Sequence, residues 1–209
     1  MRILACLLSA GVFVAAASAD TTISKPPDLG NFWYPVGNAD GGTYVYADSF
    51  IAPAGDTVVA RLGTWLDAIN YNGGPQHSIV KFQVWGDAGG PDYTTVIAST
   101  DPFSTEATGL NLHVLDVTSG AAVLNPGTKY WFAITGVGMG QGNYDQYQVG
   151  GHTQNSVYPD GGTFWYSNDP SGQVFDGQNL TPEMAFQVYL VPEPSTLLGL
   201  LALAFIRRR

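Results

Sequence analysis

The sequence predicts an all-β protein with a single antiparallel β-sandwich, jelly-roll-like, flanked by an N-terminal helix and a short C-terminal hydrophobic helix. Three observations predict this. Short segments between residues 43 and 190 alternate apolar and polar residues with a period of two, as half-buried strands do. Clusters rich in Gly, Pro, Asn and Asp separate these segments. The two ends of the chain instead carry continuous apolar runs.

The N-terminal end has the layout of a secretory signal peptide. Met1-Arg2 is a short basic start, and an apolar run from Ile3 to Ala17 follows it. Ala17 and Ala19 then form the small-x-small pattern that a signal peptidase recognises. We therefore predict that residues 1–19 are a signal peptide, that cleavage occurs before Asp20, and that the rest of the chain is exported.

The body of the chain divides into an irregular segment and one domain. Residues 20–42 are expected to be irregular, because Lys25-Pro26-Pro27 and Gly30 interrupt regular structure. Residues 43–190 are predicted to form the β-sandwich domain, with about eight short strands in two packed sheets. The predicted strands are Thr43–Ile51, Thr57–Leu66, Ser78–Trp85, Thr94–Thr100, Leu110–Val117, Lys129–Val137, Thr163–Ser167 and Met184–Leu190.

Charge and cysteine content exclude several classes of function. The chain has a formal net charge of −9, and the only basic residues between Asp20 and Leu190 are Lys25, Arg61, Lys81 and Lys129. Such an acidic surface repels phosphates, so we predict no nucleic-acid binding. The single cysteine, Cys6, lies in the predicted signal peptide, so the exported chain has no thiol for a disulfide, a nucleophile or a metal site.

No catalytic, cofactor-binding or metal site is predicted in the domain. Its only glutamates, Glu106 and Glu183, lie in a loose polar stretch and after a proline, and neither is part of a recognisable acid–base pair. The three histidines lack the spacing of a metal or nucleophile motif. Most aspartates are expected to cap turns. Calcium is the most reasonable ion, as with Asp87 and Asp92 on one loop, but no residue is assigned to it.

Aromatic residues support an alternative function, a carbohydrate-binding or lectin-like module. Such a module exposes two or three rings as a flat platform for sugars. Adjacent rings such as Trp131 and Phe132 must point to opposite faces of a strand, which predicts that some rings are exposed. The competing interpretation is that the rings fill or cover the sandwich.

The C-terminal end, residues 191–209, combines three ordered features. Pro192 and Pro194 lack amide protons and hold the backbone extended around Glu193. Leu197–Ile206 is apolar and spans about 15 Å as a helix, roughly half a bilayer core. Arg207, Arg208 and Arg209 end the chain and are retained best on the cytoplasmic side of a membrane.

This arrangement resembles the PEP-CTERM sorting tail of Gram-negative bacteria. The matching residues are Pro192, Glu193 and Pro194, followed by the apolar stretch and the three arginines, and the apolar stretch is short for the family. The resemblance implies processing near the triplet by an exosortase, a membrane-embedded cysteine protease. Phrases such as Phe82–Asp87 and Leu124–Trp131 also resemble the β-sandwich domains of unknown function that often precede such tails.

The leading interpretation is an exported, non-catalytic protein of the cell envelope or extracellular matrix. It would be anchored transiently in the inner membrane through its tail, and then released to the cell surface or the medium. The family resemblance implies association with exopolysaccharide. The alternatives are the carbohydrate-binding module and, with least support, a secreted polysaccharide hydrolase.

Overall fold

The computed structural model describes residues 21–28, 31–39, 42–68, 77–120, 122–137, 147–152, 163–166, 177–180 and 183–193. Within these ranges the protein is all-β and contains no helix. The strands are β1 (Thr21–Lys25), β2 (Asn31–Ala39), β3 (Gly42–Ile51), β4 (Val58–Ala68), β5 (Val80–Asp87), β6 (Pro91–Thr100), β7 (Asn111–Ser119), β8 (Lys129–Gly136), β9 (Tyr147–His152), β10 (Thr163–Tyr166), β11 (Gly177–Leu180), β12 (Glu183–Met184) and β13 (Phe186–Val191).

The described strands form one antiparallel, nearly closed sheet. Its main path runs β1-β13-β4-β7-β6-β5-β8-β3-β2-β9-β12, and β10 pairs with β3 and β11 beside it. The path returns on itself because β4 pairs with β9 as well, with Leu66 opposite Val149. The predicted all-β, antiparallel class is thereby confirmed. The predicted signal helix and C-terminal helix lie outside the described residues.

The core lies inside this sheet, and a smaller cluster covers the outer face of one part of it. Alternation of buried and half-buried residues along β13 shows the ordinary pattern of a strand with one face inward. β8 is different, because every residue after Lys129 is buried. Phe132 and Ile134 belong to the main core, whereas Trp131 and Ala133 pack with Trp85 on the opposite face. The rings of Trp131 and Phe132 are therefore both covered, so this pair supplies no exposed ring.

The structure differs from the expectation of an irregular segment over residues 20–42. Thr21–Lys25 and Asn31–Ala39 are strands, and β1 pairs with the last strand along its whole length, from Thr21 opposite Leu190 to Lys25 opposite Phe186. Pro35 shows how one of these strands accommodates a proline. It lies in β2 where the register with β9 shifts, and an irregularity of that kind accommodates a residue that cannot donate to the ladder.

Two backbone positions show how turns set the strand connections. Gly127 has φ of 73° in the Asn125-Pro126-Gly127 turn between two predicted strands, a left-handed conformation that favours glycine. Gly120 follows β7 with φ of 105°, and a Cβ there would lie 2.3 Å from the carbonyl oxygen of Ile97. Only glycine fits at this second position, where the chain crosses close to β6.

Candidate functional site

The sorting motif begins directly at the end of β13. Val191 is the last residue of this strand and lies opposite Val58 of β4. Pro192 follows and, having no amide proton, cannot extend the ladder. Glu193 comes next, is half-buried, and its Oε1 accepts a hydrogen bond from Thr57 Oγ1 at 2.9 Å. Pro192 and Glu193, the first two residues of the predicted motif, therefore lie against the folded domain.

The first strand begins at the same place. Thr21 lies opposite Leu190 of β13, and its hydroxyl donates to Asp56 Oδ2 at 2.8 Å. Asp56 and Thr57 are consecutive, buried residues of the turn before β4. We call the set Thr21, Asp56, Thr57 and Glu193 the terminal junction. It brings the start of the described chain and the start of the tail onto two neighbouring residues of one turn.

The remaining residues of the predicted sites lie outside the described residues. They are the signal-peptidase residues Ala17 and Ala19, the third motif residue Pro194, and the basic residues Arg207, Arg208 and Arg209. Within the described residues, no helix has the length and apolar character needed to cross a bilayer.

A second polar site, absent from the sequence-based predictions, lies inside the domain. Lys25 Nζ is 3.1 Å from Asp48 Oδ1 and 2.8 Å from Glu183 Oε2, and all three side chains are buried. Asp48 Oδ2 accepts a hydrogen bond from the amide of Met184 at 3.0 Å. We call Lys25, Asp48 and Glu183 the buried ionic cluster.

The strand periods explain why these charges point inward. Ile23 and Lys25 are the buried residues of β1 and lie two apart. In β3, Tyr46, Asp48 and Phe50 share one face, and the two aromatic residues belong to the main core. The signal for the cluster was therefore present in the sequence as a charged residue at a core position of an alternating strand.

Burial has the largest effect on the pKa of Asp48 in the buried ionic cluster. Burial raises the pKa of Asp48 from 3.8 to about 6, while Lys25 lowers this pKa and Glu183 raises it. Two carboxylates share one ammonium group, so the three groups carry a net charge of −1 when all are ionised. A carboxyl group with this pKa is partly neutral close to neutral pH.

The two histidines whose side chains the structure describes, His77 and His113, both pack against aromatic rings. His77 is buried, its ring stacks on Tyr147 at 5.3 Å between centroids, and its Nδ1 lies 2.7 Å from the exposed Glu106. His113 packs its ring 5.0 Å from that of Phe103, and burial lowers its pKa. Glu106 thus does pair with a histidine, a contact that their separation in sequence did not reveal.

Asp87 and Asp92, which the sequence places on one loop, have protein partners. Asp92 accepts hydrogen bonds from the hydroxyls of Thr94 and Thr95, and the Thr94 contact is the main cause that lowers its pKa. Asp87 accepts from Trp131 Nε1 at 2.7 Å. The described residues contain no group of three or more His, Cys, Asp or Glu side chains that could hold a metal ion.

Comparison with known proteins adds no relative. No protein-family model matches the chain, and no curated protein matches it in sequence. The resemblance of residues 191–209 to a sorting tail therefore depends on the residues of the tail alone. The proposed function depends on those residues and on the contacts described above.

Proposed function

We propose that this protein is an exported, non-catalytic component of the cell envelope or extracellular matrix, processed through its C-terminal sorting tail. The observation that carries the proposal is the order of features at the C-terminus: the Pro192-Glu193-Pro194 triplet, the apolar Leu197–Ile206, and Arg207–Arg209. A stiff backbone, a brief apolar helix and trailing guanidinium groups together suit a detachable membrane handle. An exosortase-type protease is the expected partner.

The terminal junction supports this proposal on geometric grounds. Thr21 and Glu193 contact neighbouring residues of one turn. The apolar run that ends at Ala17 is four residues from Thr21, and the apolar run after Thr196 is four residues from Glu193. Since four extended residues span at most about 14 Å, both runs would leave the same end of the domain and could enter the same bilayer.

For the whole chain we propose a jelly-roll-like β-sandwich between a signal helix and a short hydrophobic helix. The acidic body suits an exported domain that remains soluble among neutral polymers, and extracellular polysaccharide is the expected neighbour. The buried positions of Trp85 and Trp131 weaken the carbohydrate-platform alternative at these two rings.

Intact-mass analysis of the protein recovered from the medium and the membrane fraction tests the proposal. The mature species is expected to lack Met1–Ala19 and the residues beyond the Pro192–Pro194 triplet. A Glu193→Gln variant should accumulate uncleaved in the membrane fraction, whereas a variant with Arg207–Arg209 changed to serine should stay uncleaved and be held there less well. A secreted wild-type species that still ends at Arg209 would contradict the proposal.

A further inference from the structure

We propose that Lys25 and Asp48 condense within the folded domain to form an intramolecular amide bond, with Glu183 as the catalytic proton carrier. This inference goes beyond the proposed function, because it concerns covalent maturation of the domain and does not depend on the sorting tail.

The three reacting groups are already assembled. The amine nitrogen of Lys25 is 3.1 Å from Asp48 Oδ1 and 2.8 Å from Glu183 Oε2. These side chains come from β1, β3 and β12, which are separated along the chain, and each side chain is buried. A nucleophile and a carboxyl group held at this distance react as if at very high concentration, since folding has already restricted their relative motion.

The surroundings favour loss of water. Lys25 Nζ lies 5.4 Å from the ring centroid of Phe186, which stacks on Phe132 at 5.0 Å and contacts Phe50 at 6.0 Å. These rings belong to the main core. In such an apolar setting the charged forms of the amine and the carboxyl group are disfavoured, whereas the neutral amide product carries no desolvation cost of this kind.

Proton transfer can be balanced with the groups present. The ammonium of Lys25 gives one proton to Asp48 Oδ1, which leaves a neutral amine beside a neutral carboxyl group, and the amine attacks Asp48 Cγ. Glu183 then takes one proton from the attached nitrogen and delivers it to Oδ1, the Cγ–Oδ1 bond breaks, and one water leaves. The nitrogen has lost two protons and the leaving oxygen has gained two, so no other reactant is needed. Glu183 ends ionised, as it began, and the net charge of the cluster stays at −1.

The position of Met184 favours Asp48 over Glu183 as the carboxyl group that reacts. The amide of Met184 donates to Asp48 Oδ2 at 3.0 Å. Oδ2 is the oxygen that carries negative charge after the amine adds to Cγ, and a fixed donor at this oxygen stabilises that intermediate. The raised pKa of Asp48, about 6, additionally keeps part of this carboxyl group neutral and open to attack.

The bond would secure the first strand of the domain. β1 and β3 are not neighbours in the sheet, so a link from Lys25 to Asp48 crosses the interior. Within the described residues β1 pairs only with β13. An amide at its last residue would prevent β1 from separating from the domain.

Peptide mass analysis of the exported full chain tests the bond. Lys25 is followed by proline, and no Lys or Arg occurs between it and Arg61, so trypsin leaves Lys25 and Asp48 on one peptide ending at Arg61. We expect that peptide to be lighter than its sequence requires by the mass of one water. Full mass in the folded wild-type protein would overturn the proposal.

A second digestion excludes the main artefact. Asp40 precedes Gly41 on the same peptide and can also lose water, by closing to a cyclic imide. Chymotrypsin cuts after aromatic residues between positions 25 and 48. The amide predicts a branched pair of peptides joined through Lys25 and Asp48, whereas an imide at Asp40 leaves them separate and overturns the proposal. A branch at Glu183 would overturn the assignment of Asp48.

Matched variants test the role of Glu183. Lys25→Met should restore the full mass of the tryptic peptide. Glu183→Gln preserves size but removes the proton acceptor, and should slow bond formation by about a hundredfold or more. Glu106→Gln is the control, since Glu106 is the exposed second glutamate of the domain and should leave bond formation unchanged. Equal rates in the two glutamine variants would contradict the catalytic role, and the wild-type mass stands as a test even if Lys25→Met fails to fold.

Discussion

The two ends of β1 are held by polar contacts of very different character. At Thr21 a hydroxyl donates to Asp56 in the partly buried terminal junction. Four residues later, Lys25 is enclosed with Asp48 and Glu183 inside the core. β1 therefore carries one polar contact that is partly buried, at Thr21, and one that is enclosed in the core, at Lys25. We therefore expect the burial of a polar pair, more than the distance between its atoms, to decide how much the pair contributes to the free energy of unfolding.

The largest expected effect comes from removing the buried lysine. Lys25→Met leaves Asp48 and Glu183 in the core without the lysine nitrogen, as an ion-pair partner or as an amide, and should lower the free energy of unfolding by about 3–5 kcal/mol. Thr21→Val, on the same strand, is the matched comparison and should cost no more than about 1 kcal/mol. Urea unfolding followed by tryptophan fluorescence measures both. Equal losses of unfolding free energy in Lys25→Met and Thr21→Val would contradict the expected difference between the two ends of β1.

A buried hydroxyl should give an intermediate effect. Tyr147 donates to the carbonyl oxygen of Ser78 at 2.9 Å and accepts from the amide of Thr105 at 2.9 Å, so Tyr147→Phe should cost about 1–3 kcal/mol at neutral pH. Burial raises the pKa of Tyr147 from 10.0 to about 12. Its stabilising contribution is therefore present below pH 10 and is lost as pH rises through about 12.

Alkaline unfolding curves check the second half of this prediction. The difference in stability between the wild-type protein and Tyr147→Phe should shrink between pH 10 and pH 12. A difference that stays constant over this range would show that the hydroxyl does not titrate with a raised pKa.

The smallest effect on stability is expected at the tail side of the terminal junction. Thr57→Val removes the donor to Glu193 and should change the free energy of unfolding by about 1 kcal/mol or less. Its effect on processing separates two roles of Glu193. Normal cleavage in Thr57→Val, together with failed cleavage in Glu193→Gln, would show that the protease reads Glu193 itself. Failed cleavage in both variants would show that cleavage needs the hydrogen bond from Thr57 to Glu193.

Much of the sheet could be predicted because its strands alternate and its turns are marked. The segments over β3–β8 and β13 were predicted close to their observed bounds, and the Asn-Pro-Gly turn contains Gly127 with a left-handed backbone. β1 and β2 were missed because Lys25-Pro26-Pro27 and Gly30 suggest irregular chain. Their strand conformation comes from pairing with β13 and β9, which are distant in sequence.

The two polar sites were predictable to different degrees. The tail motif is a local pattern, so Glu193 was identified from its neighbours alone. Alternation places Asp48 at a core position of its strand, but Lys25, Asp48 and Glu183 are spread over most of the chain, so their contact could not be inferred from spacing.

The sequence by itself determined the all-β class, most strand positions and the features of the tail, because each depends on residues close together in the chain. Only the tertiary structure decided that the first and last strands pair, that Glu193 reaches Thr57, and that three charges meet in the core. Those contacts join residues far apart in sequence. They follow from strand order and register, which local periodicity does not encode.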